Sequence, residues 1–196
     1  MFRPLSSTTV RWRPIEGAGL EHLTLRPLNA SFGAAIRAES VIIGERDGAA
    51  YGLRYRIDCD AGWRVTALAV ETTDGRSLHL LSEGSGHWRT AEGAALPHLD
   101  GCIDVDLAGT PFTNTLPIRR LGLGRYPGAV KLKMLYVPFD SFEPTVDVQR
   151  YTCLEDGKLY RFEEDDGSFT ADLSVDEDGL VIDYPTLFRR LSPETT

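Results

Sequence analysis

The sequence has 196 residues, 42% of them hydrophobic and 26% charged, with a formal net charge of −8. A chain of this length buries about 70% of its unfolded surface, and its acidic balance argues against nucleic-acid binding, which needs a basic stripe. The opening MFRPLSSTTVRWRP holds no apolar signal core and no later run reaches the roughly 20 residues of a membrane span, so we expect a cytoplasmic protein with no membrane span.

Asp-Gly occurs at 47–48, 74–75, 100–101, 156–157, 166–167 and 178–179. Glycine takes the positive φ of tight turns and aspartate tolerates it, so Asp-Gly between alternating segments predicts β-hairpins. In chain order, AYGLRYRIDC (50–59) sets Tyr51, Leu53, Tyr55, Ile57 and Cys59 on one face, against Gly52, Arg54, Arg56 and Asp58. WRVTALAV (63–70) becomes apolar on both faces, as in a central strand. CIDVDL (102–107) opposes Ile103, Val105 and Leu107 to Cys102, Asp104 and Asp106. In TPFTNTLPIRR (110–120), Pro111 and Pro117 each remove a donor and restrict the preceding residue, which predicts a rigid connection and no regular helix. KLKMLYV (131–137) and SFTADLSVD (168–176) alternate again, and residues 146–184 read as a meander of four strands joined by EDG, DDG and EDG. PTLFRRL (185–191), opened by proline, is the best helix candidate.

The expected fold is therefore all-β: one domain over 1–196 with about ten to twelve antiparallel strands and few short helices. A large sheet with one apolar face and little helix to cover it must form a sandwich, close into a barrel, or curl partway around a hollow. The periodicity leaves these three open.

Few residues suggest chemistry. Cys59, Cys102 and Cys153 form no CxxC pair, and His22, His79, His87 and His98 form no HxH or HExxH pair, so we expect buried thiols, no metal and no cofactor. GSGHW (84–88) is not a GxSxG elbow. Asp104 and Asp106 share a strand face about 7 Å apart, a separation that suits an acid–base pair or a salt bridge to Arg119 and Arg120. Trp12, Trp63 and Trp88 each adjoin an arginine, which predicts Trp–Arg stacking at a core edge or a platform for a sugar or lipid head. DVDLAGT (104–110) is similar to the nucleophile motif of haloacid dehalogenase-type phosphatases, but Ala108 departs from it and TPFTNTLP reads as unable to supply the helix that must follow.

GCIDVDLAGTPFTNTLPIRRL (101–121), QRYTC (149–153) and DGLVIDYPTLFRR (178–190), with RWRPIEGAGLEHLTL and YGLRYRIDCDAGWRV before them, resemble the bacterial "Putative glycolipid-binding" family, formerly a domain of unknown function. The resemblance implies a fold similar to the LolA, LolB and LppX lipid and lipoprotein carriers: one antiparallel sheet curled into a half-barrel around an apolar cavity. It implies no catalytic residues. Those carriers are exported, whereas no signal sequence or lipobox cysteine opens this chain. The leading expectation is a non-enzymatic binding protein or carrier for a lipid or glycolipid-like amphiphile. Tyr55, Trp63 and Trp88 would then be wall or rim residues, and Asp104, Asp106, Thr113, Asn114, Arg119 and Arg120 would meet the polar head. A hydrolase of sugar or phosphate esters using Asp104 and Asp106 is the second expectation. The third is an interaction module whose sheet edge adds a partner strand or a second copy as a homodimer.

Overall fold

The computed structural model describes residues 2–31, 33–46, 48–125 and 128–192. Its strands are β1 (Thr8–Pro14), β2 (Gly19–Ser31), β3 (Ala34–Arg46), β4 (Ala49–Cys59), β5 (Val65–Thr72), β6 (Ser77–Ser82), β7 (Trp88–Thr90), β8 (Asp104–Leu107), β9 (Val130–Val137), β10 (Thr145–Glu155), β11 (Leu159–Glu164), β12 (Thr170–Val175), β13 (Val181–Tyr184) and β14 (Phe188–Arg190). All fourteen belong to one sheet, curled but not closed, in the order β7-β6-β5-β4-β3-β2-β1-β14-β13-β12-β11-β10-β9-β8. The meander over β10–β13 turns where expected, with Gly157, Gly167 and Gly179 at positive φ. Asp100-Gly101 instead links a 3-10 turn at Pro97–Leu99 to β8, and Asp47 of the first Asp-Gly lies outside the described residues.

Three expectations are corrected. The sheet is mixed, because β8 runs parallel to β9 from Asp104↔Met134 to Leu107↔Val137. Parallel neighbours need a crossover of a dozen or more residues, and the segment between β8 and β9 supplies it with a helix. That helix, α1 (Thr115–Leu121), follows a 3-10 turn at Phe112–Asn114, within the run read as non-helical. Pro117 falls in the first turn, where its missing N–H would have had no partner, and Gly122 ends the helix in the left-handed conformation. The run 185–191 holds β14 and no helix; Phe188–Arg190 pairs with Pro14–Trp12 and joins the two halves of the sheet.

The inner face follows the alternation. Leu23, Ser40, Tyr55 and Val70 stand in one cross-strand row of the first half, and Tyr151, Phe162 and Ala171 form a row of the second. The hollow between the halves is largely filled by the chain itself. Leu99, Cys102, Val105, Leu107, Phe112 and Leu116 pack on the first half, while Ile118 and Leu123 pack on the second. Such packing supplies most of the stability, since each fully buried Leu or Phe contributes about 1.5–3 kcal/mol.

Candidate functional site

The filling is incomplete. Between the two halves an open cleft of about 680 Å³ remains, walled by β1–β4 on one side and by the end of β8 with β9, β11, β13 and β14 on the other. Gly109 turns the chain sharply after β8 at φ +84, which brings Ala108, Gly109 and Thr110 onto the cleft wall. Aromatic side chains Phe162, Phe169, Tyr184 and Phe188 line it, with Ile42 and Leu187.

Glu21 is the chemically unusual member of the first wall. It lies on the inner face of β2 opposite Trp12 of β1 and is 3% exposed. Three hydroxyls donate to its Oε1: Tyr55 at 2.7 Å, Ser40 at 2.8 Å and Thr110 at 3.0 Å. Its Oε2 is buried with no hydrogen-bond partner among the described residues. Burial pushes the Glu21 carboxyl up to about 7, against the pull of the three hydroxyls. The Tyr55 phenol is also driven well above its ordinary value, first by burial and then by the Glu21 charge.

The second wall carries a hydrogen-bonded carboxylate group. Asp106 accepts from Thr113 Oγ1 at 3.0 Å and from Gln149 Nε2 at 2.7 Å, and the same amide nitrogen donates to Asp147 at 2.8 Å. Burial raises the Asp106 carboxyl, partly offset by Gln149 and Thr113. Glu164, across from Gln149 in the β10–β11 ladder, is pushed up to about 7 by burial and by the charges of Asp147 and Asp106. Behind them the Tyr151 hydroxyl donates to Asn114 Oδ1 at 2.9 Å.

Of the nine residues singled out from the sequence, Asp106 and Asn114 line this cleft. Thr113 is buried and holds Asp106. Tyr55 lies in the core and touches the site through Glu21. Trp63 and Trp88 are core side chains, not rim residues: Trp88 Nε1 donates to the Cys102 carbonyl at 2.7 Å, and Trp63 is covered by the Arg119 guanidinium at 4.7 Å. Arg119 also donates to the carbonyls of Arg3 and Asp178. Asp104 is fully buried beneath Arg120, whose Nε and Nη2 reach it at 3.0 and 2.6 Å. These two arginines fasten α1 to its surroundings and do not face the cleft.

The sequence reading passed over Glu21, Gln149 and Glu164. Each interrupts an otherwise apolar inner row: Glu21 before Leu23 and Leu25, Gln149 before Tyr151, and Glu164 after Tyr160 and Phe162. A polar residue in the apolar register of a strand was the signal available. No group of three or more His, Cys, Asp or Glu among the described residues is arranged to hold a metal ion. No helix among them is long and apolar enough to cross a membrane.

The family model described as "Putative glycolipid-binding" matches residues 9–190. The chain belongs to that family. A crystal structure of a DUF1089 family protein from Pseudomonas aeruginosa is similar over 97% of this chain and 95% of that one, with a TM-score of 0.69 and 40% sequence identity. No curated protein matches the chain significantly. The family match spans both walls of the cleft, from β1 through β14.

Proposed function

We propose that this protein is a non-catalytic binding protein or carrier for a glycolipid-like amphiphile, with the head group in the cleft between the two half-sheets. The observation that carries the reading is the cleft itself: about 680 Å³ left unfilled where the rest of the inner face is packed. That volume falls within the roughly 300–1,000 Å³ of small-molecule sites. Its lining alternates aromatic rings, on which the CH-rich face of a sugar packs, with carboxyl groups that accept hydroxyl hydrogen bonds. Leu187 and Phe188 continue the apolar lining toward the surface and offer a path for an acyl chain. The family name supports the same ligand class.

A non-catalytic role fits the state of the expected acid–base pair, since Asp104 is closed beneath Arg120 and Asp106 alone lines the cleft. Native mass spectrometry of protein prepared without detergent, followed by solvent extraction, tests the reading. The expected result is a co-purifying amphiphile, or saturable uptake of an added alkyl glycoside that Ala108→Phe, which places a ring in the cleft, abolishes without unfolding the chain. No co-purifying amphiphile and no saturable uptake would refute it.

A further inference from the structure

The described residues that line the cleft include five carboxyls, Glu16, Glu21, Glu45, Asp106 and Glu164, and no lysine, arginine or histidine. Arg120 is engaged by Asp104, and the two terminal nitrogens of Arg190 by Asp176 and the Val181 carbonyl while it stacks on Trp12; the Arg190 Nε is buried without a partner among the described residues, and neither arginine lines the cleft. An anionic head group would enter with no counter-charge and against like charges.

Glu21 sharpens this. Its Oε1 accepts three hydroxyl donors and so holds no proton of its own, which leaves Oε2 as the seat of the proton when the carboxyl is neutral. Oε2 therefore donates when Glu21 is protonated and accepts when it is ionised. The groups packed around it are the Ser40 hydroxyl from β3, the Tyr55 phenol from β4, the Thr110 hydroxyl after β8 and the Trp12 ring from β1; the charged groups elsewhere on the cleft wall are carboxyls. A ligand hydroxyl, being donor and acceptor at once, pairs with Oε2 in both states. A sulfate oxygen, which carries no proton, pairs with it only in the protonated state.

We propose that the cleft selects an amphiphile with an uncharged, hydroxyl-rich head group and rejects anionic ones, and that the Glu21 carboxyl, on the cleft wall with its Oε2 buried and unpartnered, decides between them. This rests on the binding reading above.

The test is titration of the full chain with octyl glucoside and octyl sulfate, both below their micellar concentrations, at pH 6 and pH 8, read by calorimetry. Octyl glucoside is expected to bind at both pH values. Octyl sulfate is expected to bind about tenfold more weakly at pH 8, with an affinity that falls as Glu21 ionises. Glu164 titrates in the same range. Glu21→Gln, which keeps the acceptor for the three hydroxyls and fixes a donor at the Oε2 position, separates the two. It is expected to strengthen octyl sulfate binding several-fold at pH 8 and so to narrow the ratio between the two amphiphiles. Equal binding of the two amphiphiles by the wild type at pH 8 overturns the selection. Unchanged discrimination in Glu21→Gln overturns the role of Glu21. If that variant does not fold, a flat wild-type pH profile for octyl sulfate overturns it instead. Binding of neither amphiphile overturns the function proposed above, and this inference with it.

Discussion

Replacing Arg120 with methionine tests what holds the cleft wall in place. Asp104 has no exposed surface, and its carboxylate is met by Arg120 at 3.0, 3.1 and 2.6 Å. Methionine keeps most of the apolar stem and deletes the charge. The carboxylate left behind is buried and uncompensated, a situation that costs about 3–5 kcal/mol. In a chain of this size each kcal/mol lowers Tm by about 2–4 °C, so the expected fall is roughly 6–20 °C. The reverse change should cost less, because Arg120 is 13% exposed and its guanidinium can turn to water, whereas Asp104 cannot. Burial already raises the Asp104 carboxyl with Arg120 present, so part of the loss in Arg120→Met should be recovered as the pH is lowered and Asp104 takes a proton. Combining Asp104→Leu with Arg120→Met should restore most of the stability, since an apolar pair replaces an ionic one at little net cost. Urea unfolding at pH 7 of the wild type, both single variants and the double variant measures the coupling. A cost below about 1 kcal/mol for Arg120→Met, or a double variant no better than that single one, would refute the view that this pair pins α1 to β8.

Glu21 predicts a pH dependence of stability. Its carboxyl stands at about 7 in the folded chain and at an ordinary 4.5 when unfolded, so between these values the folded state holds the extra proton. Its contribution is fully present below about pH 4.5 and is lost as the pH rises through 7. At 1.36 kcal/mol per pH unit, the difference between wild type and Glu21→Gln should shift by roughly 3 kcal/mol across that window. A flat difference in urea midpoints would show that Glu21 ionises freely in the fold. Gly109→Ala tests the turn after β8: the residue sits at φ +84, and an added Cβ would lie 2.6 Å from Phe139 Cε2. Phe139 is itself held between Tyr51 and Phe142, so strain and overpacking together should cost about 2–5 kcal/mol in chemical denaturation. A loss under 1 kcal/mol would mean that the turn relaxes.

The strands were legible because period-two alternation and Asp-Gly turns are local signals. The failures came where a local rule met tertiary need. Pro117 reads as a helix breaker only when its place in the first turn is unknown, and Phe188–Arg190 reads as helix because its short run carries no alternation to reveal the β1 seam. In the site, Asp106 and Asn114 were reached through a distinctive motif, whereas Glu21 and Glu164 hid in strands that looked purely architectural. The tryptophans mislead for a geometric reason. Neighbours on a strand face opposite ways, so Trp12 cannot stack on Arg11 or Arg13; it meets Arg190 from β14, and Trp63 meets Arg119 from α1.

The seam between β1 and β14 has a consequence for how the molecule comes into being. It joins Trp12 to Arg190, nearly the greatest sequence separation the chain offers, and it lies at the middle of the sheet. Contacts of such separation are slow to form, since the entropy of closing so long a loop must be met before the contact stabilises anything. Each half-sheet can gather its own neighbours as it is synthesised, but the cleft draws Glu21 from one half and Tyr184 and Phe188 from the other. Until β14 docks on β1 the wall that carries Tyr184 and Phe188 is not in place against Glu21, so ligand capture would wait for the closing of this seam.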